Sequence, residues 1–240
     1  MSLRSIEKTY YSVKEIITKL LLYCDNFIEG LRVDFLFNIN VQFYILSYLV
    51  GGIPFGLLLA KLFTGTDIRE SGSGSIGATN VLRVLKDTNP KLAKKLAIAT
   101  VVLDALKGIA LLIIGKFLGL SIETLWAIVI FSVIGHCYSP YLKFEGGKGI
   151  ATGAGVLLVM LPIETFIAFI TWFIAGKVLK ISSLSSLLAL CALIFSSFII
   201  HPELEGIKTH APIFIIAFVI IYKHIPNIVR LFHGQESKVI

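Results

Sequence analysis

Three polar stretches interrupt an otherwise apolar chain, and each carries groups that suit phosphate oxygens. The first, RESGSGSIGATNVLR at residues 69–83, supplies hydroxyls from Ser71, Ser73, Ser75 and Thr79, an amide from Asn80, and guanidiniums from Arg69 and Arg83. Its Gly72, Gly74 and Gly77 remove side chains where a backbone must turn tightly or approach a ligand closely. The second, KFEGGKG at residues 143–149, sets Lys148 among Gly146, Gly147 and Gly149, with His136 near the end of the preceding apolar segment. Backbone N–H groups beside such glycines can approach an anion while the ammonium acts as a point charge. The third, in the C-terminal tail, offers His224, Asn227 and Arg230, and the His–Asn spacing suits one face of a helical turn. Cationic and neutral donors outnumber carboxylates, which points to phosphate and away from a metal: Asp67, Glu70 and Glu145 form no metal-ligand pattern.

Other chemistries find no support in the sequence. GGKG is not a Walker loop, because no glycine heads the pattern and Gly149 replaces the Ser or Thr after the lysine. None of the five histidines has an aspartate four or five residues later, and no G-x-S-x-G elbow occurs. The three cysteines, Cys24, Cys137 and Cys191, are scattered through apolar sequence and suit neither a zinc site nor a disulfide framework. His201, His210 and His233 have no partner pattern.

The elements that must position these donors are membrane helices. Mean hydropathy is +0.86, 56% of residues are apolar and only 15% are charged, which excludes an ordinary soluble domain of this length. The formal net charge of +7 reads as cytoplasmic-side charge facing anionic lipid; with no basic patch interleaved with exposed aromatics, nucleic acid is excluded as a partner. Residues 1–40 form an amphipathic extension, with Lys8, Lys14 and Lys19 among Ile16, Ile17, Leu20 and Leu21; it is too polar to span and lacks a signal-peptide pattern. Residues 41–240 then hold seven predicted spans: 41–63, 96–117, 125–142, 150–161, 165–179, 184–200 and 211–222. The first is bent at Pro54, and the fourth is short because Pro162 and Glu164 break the apolar run. Asp104 and Lys107 lie within the second span at i, i+3, so they share a face and should pair inside the bundle. Phe166, Phe169 and Phe173 read as lipid-facing or packing surface.

Parity decides the topology. With residues 150–179 crossing twice, the three polar stretches fall on one face together with Lys177 and Lys180, and the opposite face keeps little beyond Lys116 and Lys208. The positive-inside rule then puts the crowded face in the cytoplasm. The predicted fold is an all-α integral membrane protein, a compact bundle of about seven helices, some short or broken.

GSGSIGATNVLR, GHCYSPYLKFEGGKGIAT and HIPNIVRLFHGQE resemble the signature segments of the bacterial membrane glycerol-3-phosphate acyltransferases that use acyl phosphate, in order and over about residues 41–238. The resemblance implies a compact seven-helix bundle in the inner membrane with a cytoplasmic active site. It implies transfer of a fatty acyl group from acyl phosphate to glycerol 3-phosphate, giving 1-acyl-glycerol 3-phosphate (lysophosphatidic acid) in the first acylation of phospholipid synthesis. Ser73, Arg83, Lys148, His224 and Asn227 would form the phosphate-handling site, with Gly74, Thr79 and Asn80 in its first wall, Gly146 and Gly147 in its second, and His136 in support. Ser75 stands where the family usually has Asn, and Ile225 and Pro226 where its tail is usually richer in arginine. No cofactor or metal is implied. Partners are the two substrates, membrane lipid and the enzyme that makes acyl phosphate. Acyl phosphate already carries a good leaving group, so the expected reaction is direct attack by the glycerol 1-hydroxyl without an acyl-enzyme. Either the departing phosphate or His224 takes the proton. The alternative class is a transporter of a small anion or lipid phosphate, which predicts pseudo-symmetric halves; the sequence carries no internal repeat.

Overall fold

The computed structural model describes residues 15, 18–25 and 35–238, and the chain divides into two compact units, 1–42 and 43–240. In the first unit residues 18–25 are helical and Lys19 bonds Glu15 one turn away at 2.8 Å. Several positions of the amphipathic pattern, Lys8, Lys14, Ile16 and Ile17 among them, lie outside the described residues.

Among the described residues every regular element is helical. Two helices, α1 (Ile39–Gly51) and α2 (Phe55–Thr64), make up the first span, and a short α3 (Ala78–Leu85) follows. After it come α4 (Pro90–Phe117), α5 (Ile122–Cys137), a 3-10 turn (Pro140–Leu142), α6 (Ile150–Met160), α7 (Pro162–Leu179), α8 (Ser182–Ile200) and α9 (Ala211–Phe232). Six stretches are long and apolar enough to cross a bilayer: α1 with α2, α4, α5 with its 3-10 turn, α7, α8 and α9. The predicted seventh, α6, has 11 residues. At 1.5 Å per residue it reaches about 16 Å, roughly half the hydrocarbon thickness.

Local chemistry sets the boundaries. Pro54 cannot donate a helical hydrogen bond, so the first span breaks into two helices instead of bending. Pro162 ends α6 and opens α7 at its first turn, where a missing N–H costs nothing. Asn89 caps α4 by accepting from Leu92 N at 3.0 Å, so that helix starts six residues earlier than its apolar run. At the other end of the chain, α9 runs ten residues past Tyr222, which places His224, Asn227 and Arg230 on a helix.

Packing follows membrane rules. Lipid tails are as apolar as leucine, so helix association relies on close approach of small residues. A Cβ on Gly155 of α6 would run into the backbone of Ala105 on α4, which brings these two helices into direct backbone contact. One apolar core joins Val129 and Val133 of α5, Val156 of α6, and Ile213, Ile216 and Ile220 of α9. A second joins Leu57 and Ala60 of α2, Val81 and Leu85 of α3, and Ala93 and Leu96 of α4. The expected ion pair is present: Lys107 Nζ lies 2.8 Å from Asp104 Oδ1, both side chains buried. Phe166, Phe169 and Phe173 of α7 are exposed, and Phe166 and Phe169 also border a cavity between the helices.

Candidate active site

A cavity of about 600 Å³ lies among α3, α4, α6, α7, α8 and α9. Successive spanning helices alternate in direction, so the end of one meets the start of the next at the same level. Much of the polar lining comes from helix ends and loops: Ser73, Thr79 and Arg83, Lys148, Ser182 and Ser183 at the start of α8, and His224, Asn227 and Glu236 at the end of α9; Asp104 of α4, His136 of α5 and Thr165 of α7 also border the cavity. The apolar lining lies further along the same helices: Ile109 on α4, Leu157 on α6, Phe169 on α7, Leu193 on α8 and Ile220 on α9. From Ser183 to Leu193 the helix rises about 15 Å. The cavity is most polar at one end and mainly apolar along the rest of its length.

Asn80 builds the first wall. Its Oδ1 accepts from Ser73 N at 2.8 Å, and its Nδ2 donates to Ile68 O at 2.7 Å and Ser75 O at 2.8 Å. With its amide so engaged, buried Asn80 closes the loop while bordering the cavity. Gly72 and Gly74 sit at φ +65 and +67, the left-handed region where a side chain would be strained. Asp67 holds Arg69 through Nε at 2.9 Å and Nη2 at 2.6 Å, and lies 3.0 Å from Lys61. The Arg69 guanidinium keeps the Asp67 carboxyl well below the usual range, so Arg69 is already neutralised. Gly77 caps α3 without a side-chain bond, and Ala78 and Thr79 of its first turn face the cavity, where the helix end is positive. Thr79 Oγ1 lies 3.1 Å from Ser182 Oγ, tying this wall to α8.

In the second wall the glycines pack against the end of α5. Gly147 N donates to His136 O at 2.9 Å and Gly146 N to Cys137 O at 3.1 Å, so these N–H groups cap the end of α5 and are not available to an anion. Gly147 is glycine because a Cβ there would collide with His136 Nε2. Gly74, Gly146 and Gly147 are not lining residues of the cavity; they shape the turns that present Ser73 and Lys148. Burial pushes the Lys148 ammonium down to about 8; the Glu236 carboxylate opposes this, and Arg230 and Arg83 add to it.

The third wall contains a residue to which the sequence reading assigned no role. Gly234, at φ +66, turns the chain back at the end of α9 and returns Glu236 onto the helix. Its Oε1 accepts from Asn227 Nδ2 at 2.6 Å and Ser183 Oγ at 2.8 Å, and its Oε2 from Arg230 Nε at 2.6 Å. Burial pushes the Glu236 carboxyl up, but these three donors outweigh it and hold the group below its ordinary value. His224 Nδ1 donates to Ile220 O at 2.8 Å, which in the neutral ring leaves the lone pair on Nε2. Ser182 and Ser183 also went unassigned; adjacent serines opening an apolar helix are their only sequence signal.

Charge balance decides what the polar end can hold. Arg69 and Arg230 have carboxylate partners, whereas Arg83 and Lys148 make no ion pair among the described residues. Two cations without an ion-pair partner among the described residues thus border the same cavity beside a positive helix end, an arrangement with the charge an anion would need.

The helices and the cavity define a polytopic helical membrane protein with an internal pocket. Residues 41–234 match the family described as glycerol-3-phosphate acyltransferase. Over 207 residues the chain is 61% identical to the glycerol-3-phosphate acyltransferase of Sulfurimonas denitrificans, covering 86% of this chain and all of that one. It is 64% identical over 206 residues to that of a Nitratiruptor species, covering 86% and 99%. Its fold is similar to the crystal structure of PlsY (YgiH), an integral membrane glycerol 3-phosphate acyltransferase, in its glycerol 3-phosphate form: TM-score 0.73, 34% identity, covering 83% of this chain and 94% of that one. The lysophosphatidic acid form of the same protein gives a TM-score of 0.71. The chain belongs to the glycerol-3-phosphate acyltransferase family, and it is a multi-pass membrane acyltransferase.

Proposed function

We propose that this acyltransferase moves a fatty acyl group from acyl phosphate to the 1-hydroxyl of glycerol 3-phosphate, releasing phosphate and lysophosphatidic acid. The observation that carries this reading is that Arg83 and Lys148, neither in an ion pair among the described residues, line a cavity that continues as an apolar one. A phosphate at the polar end and an alkyl chain along Ile109, Leu157, Phe169 and Leu193 would satisfy both halves. Burying the chain contributes about 0.8 kcal/mol per CH₂.

The step is a direct displacement. The glycerol 1-oxygen attacks the acyl carbonyl carbon, the new ester C–O bond forms, and the bond from that carbon to the phosphate oxygen breaks. Inorganic phosphate leaves and takes the hydroxyl proton. Arg83 and Lys148 hold the phosphates and offset the charge that develops on them, and Ser73 and Asn227 orient the oxygens. His224 presents Nε2 as an acceptor that orients the attacking hydroxyl. Gly74, Thr79, Asn80, Gly146 and Gly147 set the shape of the two loops. No cofactor enters this scheme. The site faces the cytoplasm from the bacterial inner membrane, on the positive-inside argument, and the enzyme that makes acyl phosphate supplies the donor.

Protein reconstituted in liposomes with acyl phosphate and labelled glycerol 3-phosphate should give labelled lysophosphatidate and one inorganic phosphate per turnover. Product formed from an acyl thioester but not from acyl phosphate would overturn the donor assignment. Uptake of label without acylation would overturn the reaction itself.

A further inference from the structure

Helices α4 and α5 and the helix break before α2 meet at one buried ammonium. Lys107 Nζ has three hydrogens and three acceptors: Asp104 Oδ1 at 2.8 Å, Ile53 O at 2.9 Å in the break between α1 and α2, and His136 Nδ1 at 2.8 Å on α5. The Ile53 carbonyl is available because Pro54 interrupts the helix there. An ammonium can only donate, so His136 Nδ1 must accept and the ring carries its proton on Nε2. Nε2 lies against Gly147, so closely that no Cβ fits between them. The His136 carbonyl holds Gly147 N at 2.9 Å. Lys148 is the next residue, and Asp104, His136 and Lys148 all line the cavity.

We propose that Lys107, held by Asp104, is a positioning residue for acyl transfer: it fixes His136 in the Nε2–H tautomer and, through that ring, seats the turn that presents Lys148. An ion pair kept only to join helices would need no imidazole acceptor. Here the third hydrogen of the ammonium is committed to a histidine whose opposite edge supports the loop of the phosphate site. Breaking a buried pair on one side only is strongly destabilising, whereas replacing both members with apolar residues is often neutral. The informative variant is therefore the double substitution Asp104→Leu/Lys107→Met.

This inference rests on the proposed acyl transfer for its kinetic half only. The test combines two readouts. In reconstituted, histidine-labelled full-length protein, ring ¹³C and ¹⁵N shifts give the tautomer of His136, identified by its loss in His136→Gln. The wild type should show Nε2–H, and the double variant a mixture with Nδ1–H. In the transfer assay the double variant should raise the KM for glycerol 3-phosphate or acyl phosphate at least tenfold, with kcat changed less than threefold. A wild-type Nδ1–H ring would overturn the proposal even if the double variant fails to fold. A changed tautomer with both KM values unchanged would overturn the positioning role. If the wild type transfers no acyl group, the reaction assignment fails, and the spectrum still decides the tautomer.

Discussion

Lys148 gives the sharpest prediction about pH. Burial lowers its ammonium from 10.5 to about 8, so the charge proposed to hold phosphate is lost within an accessible range. The group is protonated below that value and neutral above it, so substrate binding weakens as pH rises through about 8. If only the protonated form binds, KM scales as one plus ten to the power of pH minus 8. Between pH 7 and pH 9 that ratio is about tenfold, or about 1.4 kcal/mol of binding. Phosphate monoesters are already largely dianionic above their second pKa near 6, so the ligand's own titration lies below this window. The assay is KM for glycerol 3-phosphate and for acyl phosphate at intervals from pH 7 to 9, in wild type and Lys148→Arg. Arginine stays charged throughout, so the variant should start from a poorer KM, because its fork differs from an ammonium, yet stay flat with pH. A wild-type KM that is flat over this range for both substrates, or a Lys148→Arg profile that rises in parallel with it, would refute the reasoning.

Other substitutions test other parts of the molecule. Glu236→Gln removes the charge that three donors share and leaves Arg230 unpaired; it should cost about 2 kcal/mol, read as a lowered thermal midpoint in detergent. Gly155→Val drives a side chain into the Ala105 backbone and should destabilise by about 1–3 kcal/mol in the same measurement. Leu193→Trp fills the apolar part of the cavity. If it excludes three or four methylenes, activity on long-chain relative to short-chain acyl phosphate should fall by about two orders of magnitude, measured by competition between the two donors.

Much of the fold is legible in the sequence because membrane helices announce themselves by length and hydropathy. The break at Pro162, the short helix before it and the Asp104–Lys107 pair all follow from residue types and spacing. The site is legible as a set of residues but not as an arrangement. Helix α3 has eight residues, too few to establish a periodicity against the glycine-rich sequence before it. Hydropathy alone ends the last span near Tyr222 and misses the extension of α9 through Pro226, although the spacing of His224 and Asn227 already suits one helical face. Asn80 and the glycines of the second loop look like ligand-binding groups, but their hydrogen-bonding capacity is used within the fold, in contacts that only tertiary structure creates. Arg69 and Arg83 look equivalent in sequence, and the Asp67 carboxylate separates them. Glu236 depends on a left-handed Gly234 that sends the chain back on itself, and no local pattern specifies where such a turn lands.

At the centre of this account is the proposed grip on phosphate by two cations 65 positions apart that line one pocket, Arg83 on α3 and Lys148 in the loop before α6. The most direct test is kcat/KM for lysophosphatidate formation by Arg83→Gln and Lys148→Gln, each reconstituted and matched to wild type in thermal midpoint. Losing one preorganised charged donor at a reacting phosphate should cost about a hundredfold or more in each variant. Rates within threefold of wild type in either variant would contradict the account.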